Sequence, residues 1–150
     1  MRIYMGADHR GFKTKEKIKQ ILQKDGYAVI DLGTRTGETS CDYPKIAYQV
    51  ASRVAESKEA RGILVCMTGL GQVIAANKVR GAYAALCCSL EAARLSGEHN
   101  DANILVLGAK FVKPKDVGKI VQTWLLTKFE GGRHLRRVKQ IKKIEKGLRI

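Results

Sequence analysis

Short apolar runs alternate along this chain with amphipathic stretches, and that alternation predicts an α/β fold built on a parallel sheet. Ile63-Leu64-Val65 is apolar without interruption, as a strand buried on both faces must be, and a glycine-bearing turn follows it. Two prolines in 150 residues, with no low-complexity stretch, leave no linker, so residues 1–150 read as one domain. Five strands with right-handed crossovers imply a doubly wound, Rossmann- or flavodoxin-like sheet in three α/β/α layers, with strand order 2-1-3-4-5 and a basic C-terminal helix.

The elements follow in order. Residues 2–5 form a short strand, and Gly11 to Lys24 carries Phe12, Ile18, Ile21 and Leu22 at helical spacing. Tyr27 to Leu32 is the second strand. Asp42-Tyr43-Pro44 opens a helix, with Asp42 as N-cap and Ile46, Val50 and Val54 on one face. After the third strand a short helix runs through Ile74-Ala75-Ala76. Tyr83 to Leu86 and Ile104 to Leu107 are strands, separated by a helix near Leu90 to Leu95. Residues 114–127, starting at Pro114, and Gly132 to Lys146 complete the helices.

The formal charge is +14, and eight of the 28 Lys and Arg residues lie between Arg133 and Ile150, with Glu145 the one acid among them. Such an end attracts anionic substrates or nucleic acid, or is a solvated helix face. At 6% aromatic content the chain lacks a stacking platform for single strands, so nucleic acid is not the expected partner. No apolar segment approaches the ~20 residues of a membrane helix, and no signal peptide is visible. Cys41, Cys66, Cys87 and Cys88 have neither CxxC nor zinc spacing, so free thiols in a reducing cytoplasm are expected.

Four clusters carry chemistry. Cys66-Met67-Thr68-Gly69-Leu70-Gly71 leaves a strand and enters a helix, where unpaired N–H groups favour a thiolate and an oxyanion. Taken alone, the motif fits a buried structural cysteine equally well. Asp8-His9 follows the first strand and suits proton transfer, or else an N-cap beside a surface histidine. His99-Asn100-Asp101-Ala102-Asn103 precedes an apolar strand and is costly to bury without purpose, though a polar turn is the plain alternative. In Gly131 to Arg137, Arg133 and Arg137 stand four apart on one helix face, a spacing suited to a phosphate dianion as well as to a basic surface. All four clusters are expected beyond the carboxyl ends of the strands, the last by proximity.

Together these stretches resemble the ribose-5-phosphate isomerase type B family, which includes the galactose-6-phosphate isomerase subunits. The likeness runs from Gly6-Ala7-Asp8-His9-Arg10-Gly11-Phe12 through Asp42-Tyr43-Pro44, Cys66 to Gly71, Ala75-Ala76-Asn77-Lys78 and His99 to Asn103, as far as Gly131 to Arg137. It implies an aldose–ketose isomerase without metal or organic cofactor. Cys66 is then the base between carbons 2 and 1, with Thr68 and the Gly69 and Gly71 amides stabilising the enediolate. His99, with Asp8 and Tyr43, opens the sugar ring, Asn100 holds hydroxyls, and His9, Arg133 and Arg137 bind phosphate. It further implies sites shared between two subunits of a homodimer or tetramer.

The chain also departs from the family pattern. Met67 replaces a glycine and is strained if that position has positive φ. Arg10, Glu91 and Cys88 stand where a small residue, a tyrosine and a histidine are common. Gln72 occupies a position where a branch lacking the cysteine places a glutamate base, which leaves Cys66 as the base here. Ribose 5-phosphate is the expected substrate, with allose or galactose 6-phosphate as the alternative; a silent sugar-phosphate or nucleic-acid binder is the contrasting class.

Overall fold

The computed structural model describes residues 1–150. The strands are β1 (Arg2–Ala7), β2 (Ala28–Asp31), β3 (Ala60–Cys66), β4 (Ala84–Leu86) and β5 (Ile104–Gly108). The helices are α1 (Phe12–Lys24), α2 (Tyr43–Ala55), α3 (Leu70–Ala76), α4 (Leu90–Asn100), α5 (Val117–Leu126) and α6 (Gly132–Glu145). All pairings are parallel. No helix is long and apolar enough to cross a membrane.

The strand order is 2-1-3-5-4, which corrects the expected 2-1-3-4-5. Burial explains the exchange. All five residues of β5, Ile-Leu-Val-Leu-Gly, are buried and need a neighbour on each side. The three-residue β4, Ala-Ala-Leu, is half-buried and serves as a short edge.

Side-chain alternation divides the core into two layers. Ile3, Met5, Ile63, Val65, Leu105 and Leu107 face α1, α4 and α5. Tyr4, Leu64, Ile104 and Val106 face α2 and α3. Within α1, Ile18 and Leu22 enter the first layer, and so does the fully buried Lys15. Its Nζ lies 2.5 Å from Asp31 Oδ2 at the end of β2 and donates to the Thr34 carbonyl at 2.9 Å. Burial alone would raise the Asp31 carboxyl, but hydrogen bonds from Lys15 and Gly33 outweigh it and hold the group below its usual value.

Helix α5 begins three residues after Pro114, which lies in the preceding turn. Asp42 sits at the α2 cap position without donating or accepting a side-chain cap bond. The chain turns in opposite directions from β1 toward β2 and from β1 through β2 and α2 to β3, so the crevice of this doubly wound sheet opens between the carboxyl ends of β1 and β3.

Candidate active site

Cys66 ends β3 at that crevice and is 5% exposed. By alternation its side chain shares the α2/α3 face with Leu64, and Asp8, just past β1, continues the side of Tyr4. The following backbone curls back on the sulfur. Gly69 N–H donates to Cys66 Sγ at 2.9 Å. Gly69 has φ of 81°, and a Cβ there would strike Leu86, so glycine is required on both counts. The exit of β5 fixes the same loop from the other side, since Ala109 N donates to Cys66 O at 2.8 Å and Lys110 N to Met67 O at 2.9 Å. Gly11 is packed so closely on the Val65 carbonyl that no side chain fits, which presses the start of α1 against the cysteine strand.

The Cys66 thiol is pushed up from its ordinary value. Burial raises its pKa, the Gly69 and Thr68 N–H groups oppose that, and the nearby Asp8 charge raises it further. This overturns the lowered value expected at a helix N-terminus. Seven residues make a short dipole, and desolvation with a neighbouring carboxylate outweighs it. The donors are nonetheless in place to hold a thiolate or an oxyanion once one forms.

Three more expected residues converge here. Asp8 is buried, and its Oδ1 accepts from Gly11 N at 2.9 Å. His9 Nδ1 accepts from Cys41 N at 3.3 Å, which ties the ring to the loop before α2. Tyr43, in the first turn of α2, lies so close over Gly71 that a Cβ would collide with its ring. Met67 does not have positive φ, so no backbone strain arises, and its side chain is exposed.

His99, Asn100, Arg133 and Arg137 do not join them within one chain, contrary to the expectation that all four clusters share the carboxyl edge. His99 and Asn100 end α4 and lead into the start of β5, whose far end pairs with Cys66. Four steps of strand, roughly 13 Å at ~3.3 Å per residue, separate the two edges. At the amino edge His99 stacks on His134 of α6, with ring centroids 4.0 Å apart and planes 7° from parallel. Arg133 and Arg137 are exposed on α6, and no carboxylate is paired with either.

The rest of the His99 to Asn103 run is structural. Asp101 takes the left-handed C-cap conformation at φ 52°. Asn103 accepts from Tyr83 N at 2.7 Å and donates to Gly81 O at 2.8 Å, which ties β4 to β5. Asn77 does the same for α3 and β4 through Ala84. Glu145 docks the end of α6 by accepting from Gly81 N at 2.6 Å and from the Tyr83 hydroxyl at 3.0 Å. Burial and that carboxylate push Tyr83 up to about 12.

Sequence reasoning missed Lys110 beside the cysteine loop and His134 beneath His99. His134 and Val138 are the buried residues of α6, four apart, and that spacing within Arg133 to Val138 was the available signal. Gln72 is fully buried with neither amide atom hydrogen-bonded.

The ribose/galactose isomerase family model matches residues 3–141. The chain is 44% identical to ribose-5-phosphate isomerase B of Escherichia coli over 144 residues, 96% of each protein. The structure of the Clostridium thermocellum ribose-5-phosphate isomerase B superposes with a TM-score of 0.93 at 51% identity, covering 98% of this chain and 99% of that one. The Mycoplasma genitalium ribose-5-phosphate isomerase B, solved with bound ribulose-5-phosphate, gives 0.93 at 41% identity, covering 97% and 96%. The chain belongs to the ribose/galactose isomerase family and is an aldose–ketose isomerase.

Proposed function

We propose that this chain interconverts ribose 5-phosphate and ribulose 5-phosphate, with Cys66 as the base. The observation that carries this reading is the Cys66 sulfur, buried at the crevice and already bonded to the Gly69 amide. The sulfur, as thiolate, takes the proton from carbon 2 of the open-chain aldose. The resulting cis-enediolate is held by Thr68 and the Gly69 and Gly71 amides. The same proton, or one from solvent, then returns to carbon 1 while the hydroxyl proton passes from the carbon 2 oxygen to the carbon 1 oxygen. Nothing is oxidised overall, and no cofactor is needed. Relatives at 44% and 51% identity that carry the ribose-5-phosphate isomerase B name support the pentose over a six-carbon sugar.

The site is completed by a second copy of the chain. Asp8, His9, Tyr43 and Cys66 occupy one edge of the sheet, while His99, Asn100, Arg133 and Arg137 occupy the other. Two-fold pairing brings one copy's carboxyl edge to the other's amino edge, so a homodimer, or a tetramer made of two, holds complete sites. His99, with Asp8 and Tyr43 from the other copy, opens the furanose, Asn100 holds hydroxyls, and His9 with both arginines binds the phosphate.

The test is kcat/KM over a panel of pentose and hexose phosphates, run with a chelator present. Ribose 5-phosphate should rank first, with activity undiminished. A higher value for allose or galactose 6-phosphate would replace the substrate, and no turnover of any sugar by folded protein would overturn the reading.

A further inference from the structure

The stacked imidazoles at the amino edge come from different elements. His99 closes α4, and His134 lies in the first turn of α6, 5% exposed. His134 Nε2 accepts from Arg133 Nε at 3.4 Å, and Glu130 Oε2 is 3.5 Å from the same nitrogen. The charged groups around the pair are Arg133 and Arg137 from α6 and Glu130 from the preceding loop. On α4, Glu98 is taken up by Arg94, and Asp101 just beyond the helix acts on Tyr83.

Glu130 and the two rings supply three ligand-type groups, but a metal ion suits them poorly. An ion held by two imidazoles lies in the plane of each, and nearly parallel rings 4.0 Å apart offer no such common point. Two guanidinium groups add repulsion. A proton suits the site better, and two stacked imidazolium rings would repel each other. Burial, His99 and Arg133 together keep His134 below its usual value. His99 is the more exposed of the two rings. A dianion held by Arg133 and Arg137 reverses the local field of the two guanidinium groups on the rings.

We propose that His134 is a positioning residue that shelves the His99 ring beside Arg133, so that a phosphate dianion bound by Arg133 and Arg137 places a proton on His99. This deepens the function proposed above and rests on it for its use. The proton comes from solvent as the phosphate group binds. It passes to the ring oxygen as the bond from carbon 1 to that oxygen breaks, and the carbon 1 hydroxyl returns a proton to solvent as the aldehyde forms. Binding of the remote phosphate group thereby arms the acid that ring opening requires.

The chain has three histidines, so their ring protons are separable by NMR. The probe is sulfate, a dianion that does not titrate near neutrality, compared with sodium chloride at equal ionic strength. The midpoint of His99 should rise by about one pH unit in sulfate. That rise should vanish in Arg137→Ala. It should fall by at least half in His134→Ala and survive in His134→Phe, which keeps a flat ring. His134→Asn serves if the alanine variant does not fold. An unchanged His99 midpoint in wild-type protein at saturating sulfate would overturn the proposal, as would an equal rise without the His134 ring. Sulfate is not isomerised, so failure of the sugar assay and failure of this titration are separate results.

Discussion

The two edges of the sheet are built by different physics. At the carboxyl edge the backbone does the positioning, through Gly11 against the Val65 carbonyl, the left-handed Gly69, and Gly71 under Tyr43. Cys66 and Asp8 are buried there, with little freedom to move. At the amino edge exposed side chains on one helix provide a charged surface, anchored by Glu145 and by the stack of His99 on His134. The first edge suits bond-making, which needs fixed distances. The second suits capture of an anion, which needs charge and tolerates motion. Mutations at the two edges should therefore fail in different ways.

The largest effect is expected from Cys66→Ala. Removing the base should cost on the order of 10²–10⁴-fold in kcat, with KM little changed and the fold intact. Near-normal turnover by a well-folded variant would remove Cys66 from the mechanism. Arg137→Ala should instead act on KM. Loss of a charge-assisted contact to phosphate is worth roughly 1.5–3 kcal/mol, or about 10- to 150-fold. Any activity on the unphosphorylated sugar should be spared, and an equal loss on both would show that Arg137 does not read phosphate.

This contrast also marks what the sequence disclosed. Alternation of apolar runs and helical faces placed every strand and helix, because burial against the sheet dominates local preference in elements such as β3. The β5–β4 exchange was hidden, since crossover rules allow either order and only the burial of β5 on both faces decides. Asp8 and Cys66 could be placed together because each ends or follows a strand at the crevice, whereas Tyr43 entered only through the family resemblance. His99 was misplaced because the residues before a strand lie at its amino end, and proximity to β5 in sequence says nothing about nearness to Cys66. The upward push on Cys66 was missed because desolvation and the Asp8 charge arise only on folding. The Lys15–Asp31 pair was invisible for the same reason, since a lysine at a helical core position reads as solvated until its partner is known.

Mixing tests the division of the site between two copies. Cys66→Ala and Arg137→Ala chains damage opposite edges, so a mixed dimer holds one doubly damaged site and one intact site. Assayed with ribose 5-phosphate far below KM, where both parents are slow, an equal mixture unfolded and refolded should restore about a quarter of wild-type activity, because random pairing makes half the dimers mixed and each has one good site. Activity no higher than the average of the two parents would place both residues in a site made by one chain.

The smallest effect probes the interior of the carboxyl edge. Asp8 lies near enough to Cys66 to raise its pKa, while the Gly69 and Thr68 amides pull the other way and burial sets the larger part. A raised value means that the thiolate is scarce at neutral pH and grows as pH rises, so both alkylation of Cys66 by iodoacetamide and kcat/KM should climb on the alkaline side. Asp8→Asn removes the like charge and keeps an acceptor oxygen for Gly11 N. The alkylation midpoint should then move to lower pH, and the rate at pH 8 should rise by a factor of roughly 2–5, consistent with a partly screened neighbouring charge. Activity should not follow. If Asp8 assists ring opening, kcat on ribose 5-phosphate falls in Asp8→Asn although the thiolate is more abundant. Faster alkylation with lower turnover separates the electrostatic role of Asp8 from its chemical one. Faster alkylation with equally faster turnover would reduce Asp8 to a brake on the cysteine, and an unchanged alkylation profile would show that the carboxylate does not reach the sulfur.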